Sequence, residues 1–451
     1  MHIYFSGIGG TAIGPLALIA KQAGYDVSGS DKQASQYIEY LQKHGITDIH
    51  IGQTREQIAE QHDKNPIDWF VYSSAVAIEN PDAPELAFCR EQDIKMSKRD
   101  ELLNQIMQDK HLKLIAVAGT HGKTTTTALL IWLFQQLNVP LSYSVGAKIS
   151  FGDMGHFDPA SEYFVYEADE FDRNFLAFQP FVSIITGVSW DHHEIFPTRE
   201  DYQEAFREFI SQSTWTELWQ EDNDYLGLRP DDHHAVMDSS DPAIETITLP
   251  GLYNRLDAWL AAKAVRQLTG EPFEKILEYV NNFPGLQRRM EQIAPHLYSD
   301  YAHTPEKIRG AMSVALDIAS KLAKSTPVKG QTFCERSDLA QNSPRIIVVY
   351  EPLTNRRQHY MLDDYADCFA GAAHVYWTPS YLAREDPAQR IIPPEELISH
   401  LADPSIAEPA ELNEKLKRAI QQHVANGDMV VAMAGGGGGS LDEWLRQEFK
   451  N

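Results

Sequence analysis

Short, strongly apolar runs alternate along the whole chain with longer stretches whose apolar positions recur about every 3.6 residues. "HIYFS" predicts a strand at once, and "TAIGPLALIAKQAG" predicts a helix that stops at Gly24, a residue suited to a helix C-terminus. "YDVSGSD" and "WFVYSSAV" predict further strands, and "PELAFCREQ" a helix after the turn former "ENPDAP". Near residues 98 to 112 a charged helical connector, "KRDELLNQIMQDKHLK", leads to a second run of the same kind. That run comprises "LKLIAVAG", "YFVYEADEFD", "FVSIIT" and the helices "EDYQEAFREFI" and "RLDAWLAAKAVRQLTG". Between Ser211 and Leu249 the pattern turns polar and irregular and predicts no element. A third run follows with "LYSDYAHTPEKIRGAMSVAL", "RIIVVYEP", "AHVYWTP" and "GDMVVAMAGGGGG", interrupted by an expected solvated loop over residues 320 to 344.

Strands alternating with helices imply parallel sheets joined by crossovers. The expected fold class is therefore α/β, with three tandem domains over residues 1–108, 109–284 and 285–451 of the 451-residue chain. Composition fits a globular protein at 43% hydrophobic and 23% charged residues. Lys and Arg number 39 against 64 Asp and Glu, a net charge of −25. That balance argues against nucleic acid or an anionic membrane as partner. Cys89, Cys334 and Cys368 are widely spaced and form no C-x-x-C, so neither a disulfide framework nor a zinc knuckle is expected. No apolar run approaches ~18 residues and no signal-peptide pattern opens the chain, so the expected location is cytoplasmic.

Two loops carry candidate chemistry. "GIGGTAIG" places Gly7, Gly9 and Gly10 between a strand and a helix, where a backbone without side chains can approach a pyrophosphate. Asp31 follows at the end of the next strand, and a tight turn without a ligand is the alternative reading. "AVAGTHGKTTTTALL" has the stronger signal: Gly119, Gly122, Lys123 and Thr124 supply a turn, a cation and a hydroxyl at a helix start. A Lys there opposes the positive end of the helix dipole unless an anion is bound. Glu167 closes an apolar strand about where a Mg²⁺ partner for Thr124 is needed, and "WDHHEIF" brings Asp191 and His192 after another strand. Arg288 and Arg289 follow a Pro-Gly turn, and Asp300 and His303 stand at another strand end. The run 435–439 reads equally as an anion-binding turn or a flexible loop.

Taken in order, "GIGG", "SGSD", "SSA", "GTHGKTTT", "EADE", "DH", "GLYN", "RRM" and "SDYAHTP" resemble the Mur ligases over essentially the whole chain. The resemblance explains why Val117 stands where the usual phosphate loop has Gly, since G-T-H-G-K-T-T is that family's own form. It implies a Rossmann-like N-terminal domain holding a UDP-sugar and a P-loop central domain holding ATP and Mg²⁺. A Rossmann-like C-terminal domain would receive the amine.

By the same resemblance, Lys123, Glu167, His192 and Arg289 are catalytic, and Thr124, Glu167 and His192 are metal ligands. The nucleotide would be held by Gly119, Thr120, His121, Gly122, Lys123, Thr124, Thr125, Asn254, Arg289 and Asp300. The sugar-nucleotide and amine would meet Gly7, Gly9, Gly10, Ser30, Asp31, Ser73, Ser74 and His303. The implied activity is ATP-dependent amide ligation to UDP-N-acetylmuramate through an acyl phosphate, by a monomer or weak homodimer. "EADEFD", "DHHEIF" and "EPLTN" favour as amine the tripeptide L-alanyl-γ-D-glutamyl-meso-diaminopimelate of peptidoglycan recycling. "NFLAFQP" points to the branch that adds L-alanine, the alternative; a UDP-sugar-binding regulator ranks last. Tyr253, Asp257 and Thr304 depart from the family pattern.

Overall fold

The computed structural model describes residues 1–73, 76, 80–191, 195–229, 233–325, 344–382 and 389–449. Among these, three sheets follow one another along the chain. The first comprises β1 (His2–Ser6), β2 (Asp26–Asp31), β3 (Ile49–Ile51), β4 (Trp69–Tyr72) and β5 (Lys95–Lys98), ordered β3-β2-β1-β4-β5 and parallel throughout. The helix Ile13–Gln22 follows β1 and closes as expected, with Gly24 at φ 92° just beyond it.

The second sheet comprises β6 (Lys113–Ala118), β7 (Leu141–Ser144), β8 (Gly155–His156), β9 (Tyr163–Glu167), β10 (Val182–Ile185), β11 (Trp215–Trp219) and β12 (His234–Met237). Its order is β12-β11-β10-β6-β9-β7-β8, parallel except where β8 turns back on β7. β6 and β10 are almost wholly buried, as strands covered by helices on both faces must be. β11, β12 and the intervening helix Gln220–Leu226 occupy the segment expected to be irregular. The correction has a physical source. β11 and β12 pair at the sheet's edge with polar residues in the strand, and a pattern such as "WTELW" lacks the apolar run of a central strand.

The third sheet comprises β13 (Glu291–Ala294), β14 (Leu297–Asp300), β15 (Ile346–Glu351), β16 (Ala372–Trp377), β17 (Ala407–Pro409) and β18 (Met429–Ala434). Its order is β13-β14-β18-β15-β16-β17, with β13 and β14 antiparallel. Alternate residues of β15 and β18 enter two separate cores. Val348 and Val431 pack on one face, Val349 and Val430 on the other. The helix Pro305–Ser325 continues through residues 320–325, which were expected to open a loop; its last residue in the core is Ala319. Residues 326–343, including Cys334, lie outside the described residues.

The chain divides into two compact units, 1–247 with 256–283, and 248–255 with 284–451. Within the first, one hydrophobic cluster runs without a break from Ile3 and Val71 to Ala116, Phe164 and Phe206. The helix Arg99–Asp109, expected as a charged connector, contributes Leu102, Leu103, Ile106 and Met107 to that shared core. Gly155 of β8 meets Pro15 directly; a Cβ there would stand 2.6 Å from the Pro15 carbonyl oxygen. No helix among the described residues is long and apolar enough to cross a membrane.

Candidate active site

The phosphate loop connects β6 to the helix Lys123–Gln136. Gly119 (φ 142°) and Gly122 (φ 79°) occupy backbone regions open to glycine, and both lack room for a side chain. A Cβ on Gly119 would meet the Thr186 hydroxyl, and one on Gly122 would meet the Asp257 carboxylate. The loop is also tied from outside. Thr120 is buried, its backbone N–H donates to Gly187 O at 2.8 Å, and its hydroxyl lies 2.8 Å from Tyr202 Oη. The Thr186 hydroxyl donates to the His121 carbonyl. Of the residues expected to hold the nucleotide, Thr120 is therefore an internal tie, while His121 is exposed and Thr125 half-buried.

Lys123 and Thr124 begin the helix, and each meets a different acid of "EADE". Lys123 Nζ donates to Glu170 Oε2 at 2.7 Å and to Gly119 O at 2.5 Å. Thr124 Oγ1 donates to Glu167 Oε1 at 2.8 Å, while Glu167 Oε2 accepts from Gly146 N at 2.9 Å. Burial works to lower the Lys123 pKa, but Glu170, Asp169 and Glu167 outweigh it and hold the ammonium above its ordinary value. Lys123 is thus charged where a phosphate would arrive. The structure joins three expected residues (Lys123, Thr124 and Glu167) and adds Glu170, fully buried, which sequence reasoning had passed over. The signal was present as the second acid of "EADE". His192 lies outside the described residues; Asp191 beside it is half-buried.

The N-terminal glycine loop is built on β2. Gly7 N and Ile8 N donate to Ser30 O at 2.8 and 2.9 Å, and Gly9 N donates to Asp31 Oδ2 at 2.8 Å. Asp31 therefore holds the loop's backbone, and Gly10 remains exposed. The Ser30 hydroxyl is buried and donates to Glu85 at 2.5 Å, together with those of Ser6 at 2.6 Å and Tyr4 at 2.9 Å. Ser30 thus offers this loop its backbone carbonyl, with its hydroxyl directed into the domain. Ser73 is half-buried after β4, and Ser74 lies outside the described residues.

Between the two loops lies a cleft of about 260 Å³ lined by Thr11, Ala12, Arg99, Lys123, Gly146 and Glu167, among others. One wall follows the N-terminal glycine loop and the other is the phosphate loop. Glu167 lines the cleft and accepts from the Thr124 hydroxyl, and this pair of oxygen ligands suits a hard divalent cation such as Mg²⁺.

Arg289, Asp300, His303 and Asn254 belong to the second unit. Asp300 accepts from Met290 N and Ala302 N at 2.8 Å each, so it shapes the turn that carries Arg289. Burial raises its pKa and the Arg289 guanidinium opposes that. His303 is buried, and burial, Lys307 and Arg357 push its pKa down to about 3. Its neutral ring donates from Nδ1 to Tyr301 O at 2.7 Å, leaving Nε2 to accept from Arg357 Nη1 at 3.5 Å. Gly435 packs on that ring: a Cβ there would lie 2.7 Å from it. A Cβ on Gly436 would lie 2.7 Å from Ser440 and 2.8 Å from Tyr381. At least the first two glycines of the run are thus required by close packing. Asn254 donates from its amide to Pro250 O at 2.8 Å, and Tyr253 beside it is 64% exposed.

Parallel α/β sheets with a Gly-x-x-Gly-Lys-Thr loop, its Lys and Thr each matched to an acid, define an enzyme of phosphoryl-transfer type. Known proteins narrow this class. The model "Mur ligase family, catalytic domain" matches residues 2–111, and "Mur ligase middle domain" matches residues 117–240. The UDP-N-acetylmuramate–L-alanine ligase of Alkaliphilus metalliredigens is 30% identical, covering 96% of this chain and 95% of its own. That of Rickettsia canadensis is 27% identical over 100% and 97%. Two solved structures share the fold. The UDP-N-acetylmuramate–alanine ligase of Thermotoga maritima has a TM-score of 0.72 at 22% identity, covering 99% of this chain and 98% of its own. The murein peptide ligase of Psychrobacter arcticus has a TM-score of 0.63 at 21% identity, covering 100% and 99%. The chain belongs to the Mur ligase family, ATP-dependent ligases that form amide bonds in peptidoglycan synthesis.

Proposed function

We propose that this chain joins L-alanine to UDP-N-acetylmuramate at the expense of ATP, in the cytoplasm. The observation that carries the reading is the cleft itself, with Lys123 and Glu167 on one side and Thr11 and Ala12, at the end of the N-terminal glycine loop, on the other. The relatives at 27–30% identity over nearly the full length bear the L-alanine name, and they weigh against the expected tripeptide. The domain division 1–108, 109–284 and 285–451 belongs to the same proposal, each domain contributing one substrate.

A carboxylate does not react with an amine at neutral pH, because its leaving group would be oxide. Moving the γ-phosphoryl of ATP onto the sugar's carboxylate gives an acyl phosphate that the amine attacks, releasing phosphate. Both reactants are anions, so their approach requires positive charge between them. Lys123 supplies it from the phosphate loop, at the start of the helix Lys123–Gln136, whose N-terminus favours an anion. Mg²⁺, held by Thr124 and Glu167, would supply further charge neutralisation at the phosphates. Arg289 is assigned to the transferring phosphoryl group and Asn254 and Asp300 to the nucleotide. The neutral His303 is assigned to the amine side.

ADP release measured with UDP-N-acetylmuramate, ATP and Mg²⁺ tests the proposal, with L-alanine and the tripeptide as competing amines. L-alanine is expected to drive turnover, and Lys123→Ala to abolish it while sugar-nucleotide binding persists. The tripeptide remains the second reading because "EADEFD" and "EPLTN" favour it. Turnover driven by the tripeptide alone would establish it instead.

A further inference from the structure

Arg99 stands at a place where an isolated cation is unfavourable. It is the first residue of the helix Arg99–Asp109, whose N-cap is Lys98, so two positive side chains face the positive end of the helix dipole. Lys98 is matched by Asp172 at 2.7 Å. Arg99 is matched only loosely, with contacts of 3.4 Å to Asp100 and 3.9 Å to Asp169, well beyond the ~2.7–2.9 Å of a charge-assisted hydrogen bond. Its side chain is 27% exposed and lines the cleft that Lys123 lines from the phosphate loop. Arg99 comes from the segment leaving the first sheet, Lys123 from the loop leaving β6 of the second. The two sheets thus contribute one cation each to the same cleft.

We propose that Arg99 is a further catalytic residue, the one that seats the carboxylate of the sugar-nucleotide for phosphoryl transfer. The proposal rests on the reading that this cleft receives UDP-N-acetylmuramate. A guanidinium fork matches a carboxylate in two parallel hydrogen bonds, which fixes its orientation as well as its charge. Each carboxylate oxygen keeps a second lone pair outside the fork; through it one oxygen attacks the γ-phosphorus, the bond from the γ-phosphorus to the ADP oxygen breaks, and ADP leaves with the electron pair. No proton moves, and Arg99 remains charged throughout. Lys123 serves the phosphate and Arg99 the acid, so each anion arrives with its own counter-charge.

The test compares UDP-N-acetylmuramate with UDP-N-acetylglucosamine, which lacks the lactyl carboxylate, by calorimetry on the full-length chain. Wild-type protein should prefer the muramate by about 10- to 100-fold, the worth of a charge-assisted bond. Arg99→Gln should erase that preference while leaving the affinity for UDP-N-acetylglucosamine unchanged, and should lower the rate of ADP release by about 10²–10³-fold. Arg99→Lys, which keeps the charge and loses the fork, should retain part of the preference and guards against misfolding in the Gln variant. A preference intact in both variants, or equal loss of both ligands in both, overturns the role of Arg99. Wild-type protein that binds neither nucleotide overturns the muramate reading, and the assignment of Arg99 with it.

Discussion

Gly122 and Asp257 meet at the start of the phosphate-loop helix. Asp257 is 6% exposed and stands so close to Gly122 that no side chain fits between them. Gly122→Ala therefore faces two costs, a positive φ that non-glycine residues resist and a collision with the carboxylate. Left-handed backbone alone costs roughly 1–2 kcal/mol in an alanine. The expected result is a fall in unfolding free energy of at least that size, with loss of ATP-dependent turnover, measured by urea denaturation and ADP release. Adding Asp257→Ala should restore part of the stability, a non-additivity that residues in contact produce. Full additivity of the two substitutions would show that the contact does not matter. At this scale much was legible. Lys123, Thr124 and Glu167 stand together as their residue types and spacing suggested. Glu170 was not marked, because nothing local distinguishes which acid of "EADE" meets the Lys.

At the scale of elements, the strand next to the edge of the second sheet carries a buried acid. Glu217 lies in the middle of β11, 2% exposed, and burial pushes its pKa up to about 8 against the weaker opposing effects of Trp215 and Lys263. The ordinary value is 4.5, so the folded chain keeps this proton over a range in which the unfolded chain has lost it. Its contribution to stability is therefore complete below about pH 4.5 and is lost as pH rises toward about 8. One such group changes stability by at most about 1.4 kcal/mol per pH unit. Glu217→Gln should flatten that part of the stability profile and make the variant more stable than the wild type at pH 8, read from urea midpoints at pH 5 to 8.5. Parallel profiles for the two proteins would refute the burial argument. The same strand shows why the segment 211–249 was illegible. A polar residue inside the strand breaks the apolar run, and only pairing with β10 on one side and β12 on the other makes it a strand. Central strands such as "RIIVVYEP" and "MVVAMA" were legible, because a strand covered on both faces must be apolar at nearly every position.

At the scale of the whole molecule, the cluster that begins at Ile3 and those on the third sheet share no residue among those described. A core that closes on itself supports independent folding. Residues 1–283 alone should therefore unfold in one cooperative thermal transition and retain sugar-nucleotide binding. They should release no ADP, since Arg289 and Asp300, the residues proposed to serve the phosphoryl group and the nucleotide, are removed. A fragment without a cooperative transition would mean that the first unit depends on the second. The core shared by the first two sheets was not visible in the chain's pattern. The connector at residues 98 to 112 reads as charged, yet four of its apolar residues close that core.

By itself the sequence determined the α/β rhythm, the two glycine loops and the membership in an ATP-dependent ligase family, because periodicity, turn chemistry and phosphate binding are local properties. The tertiary structure alone decided which acid meets Lys123, that Asp257 closes on Gly122, that Glu217 is buried, and that Arg99 and Lys123 share a cleft. Those are contacts between residues far apart in the chain, set by how the strands order within each sheet and how helices pack across them.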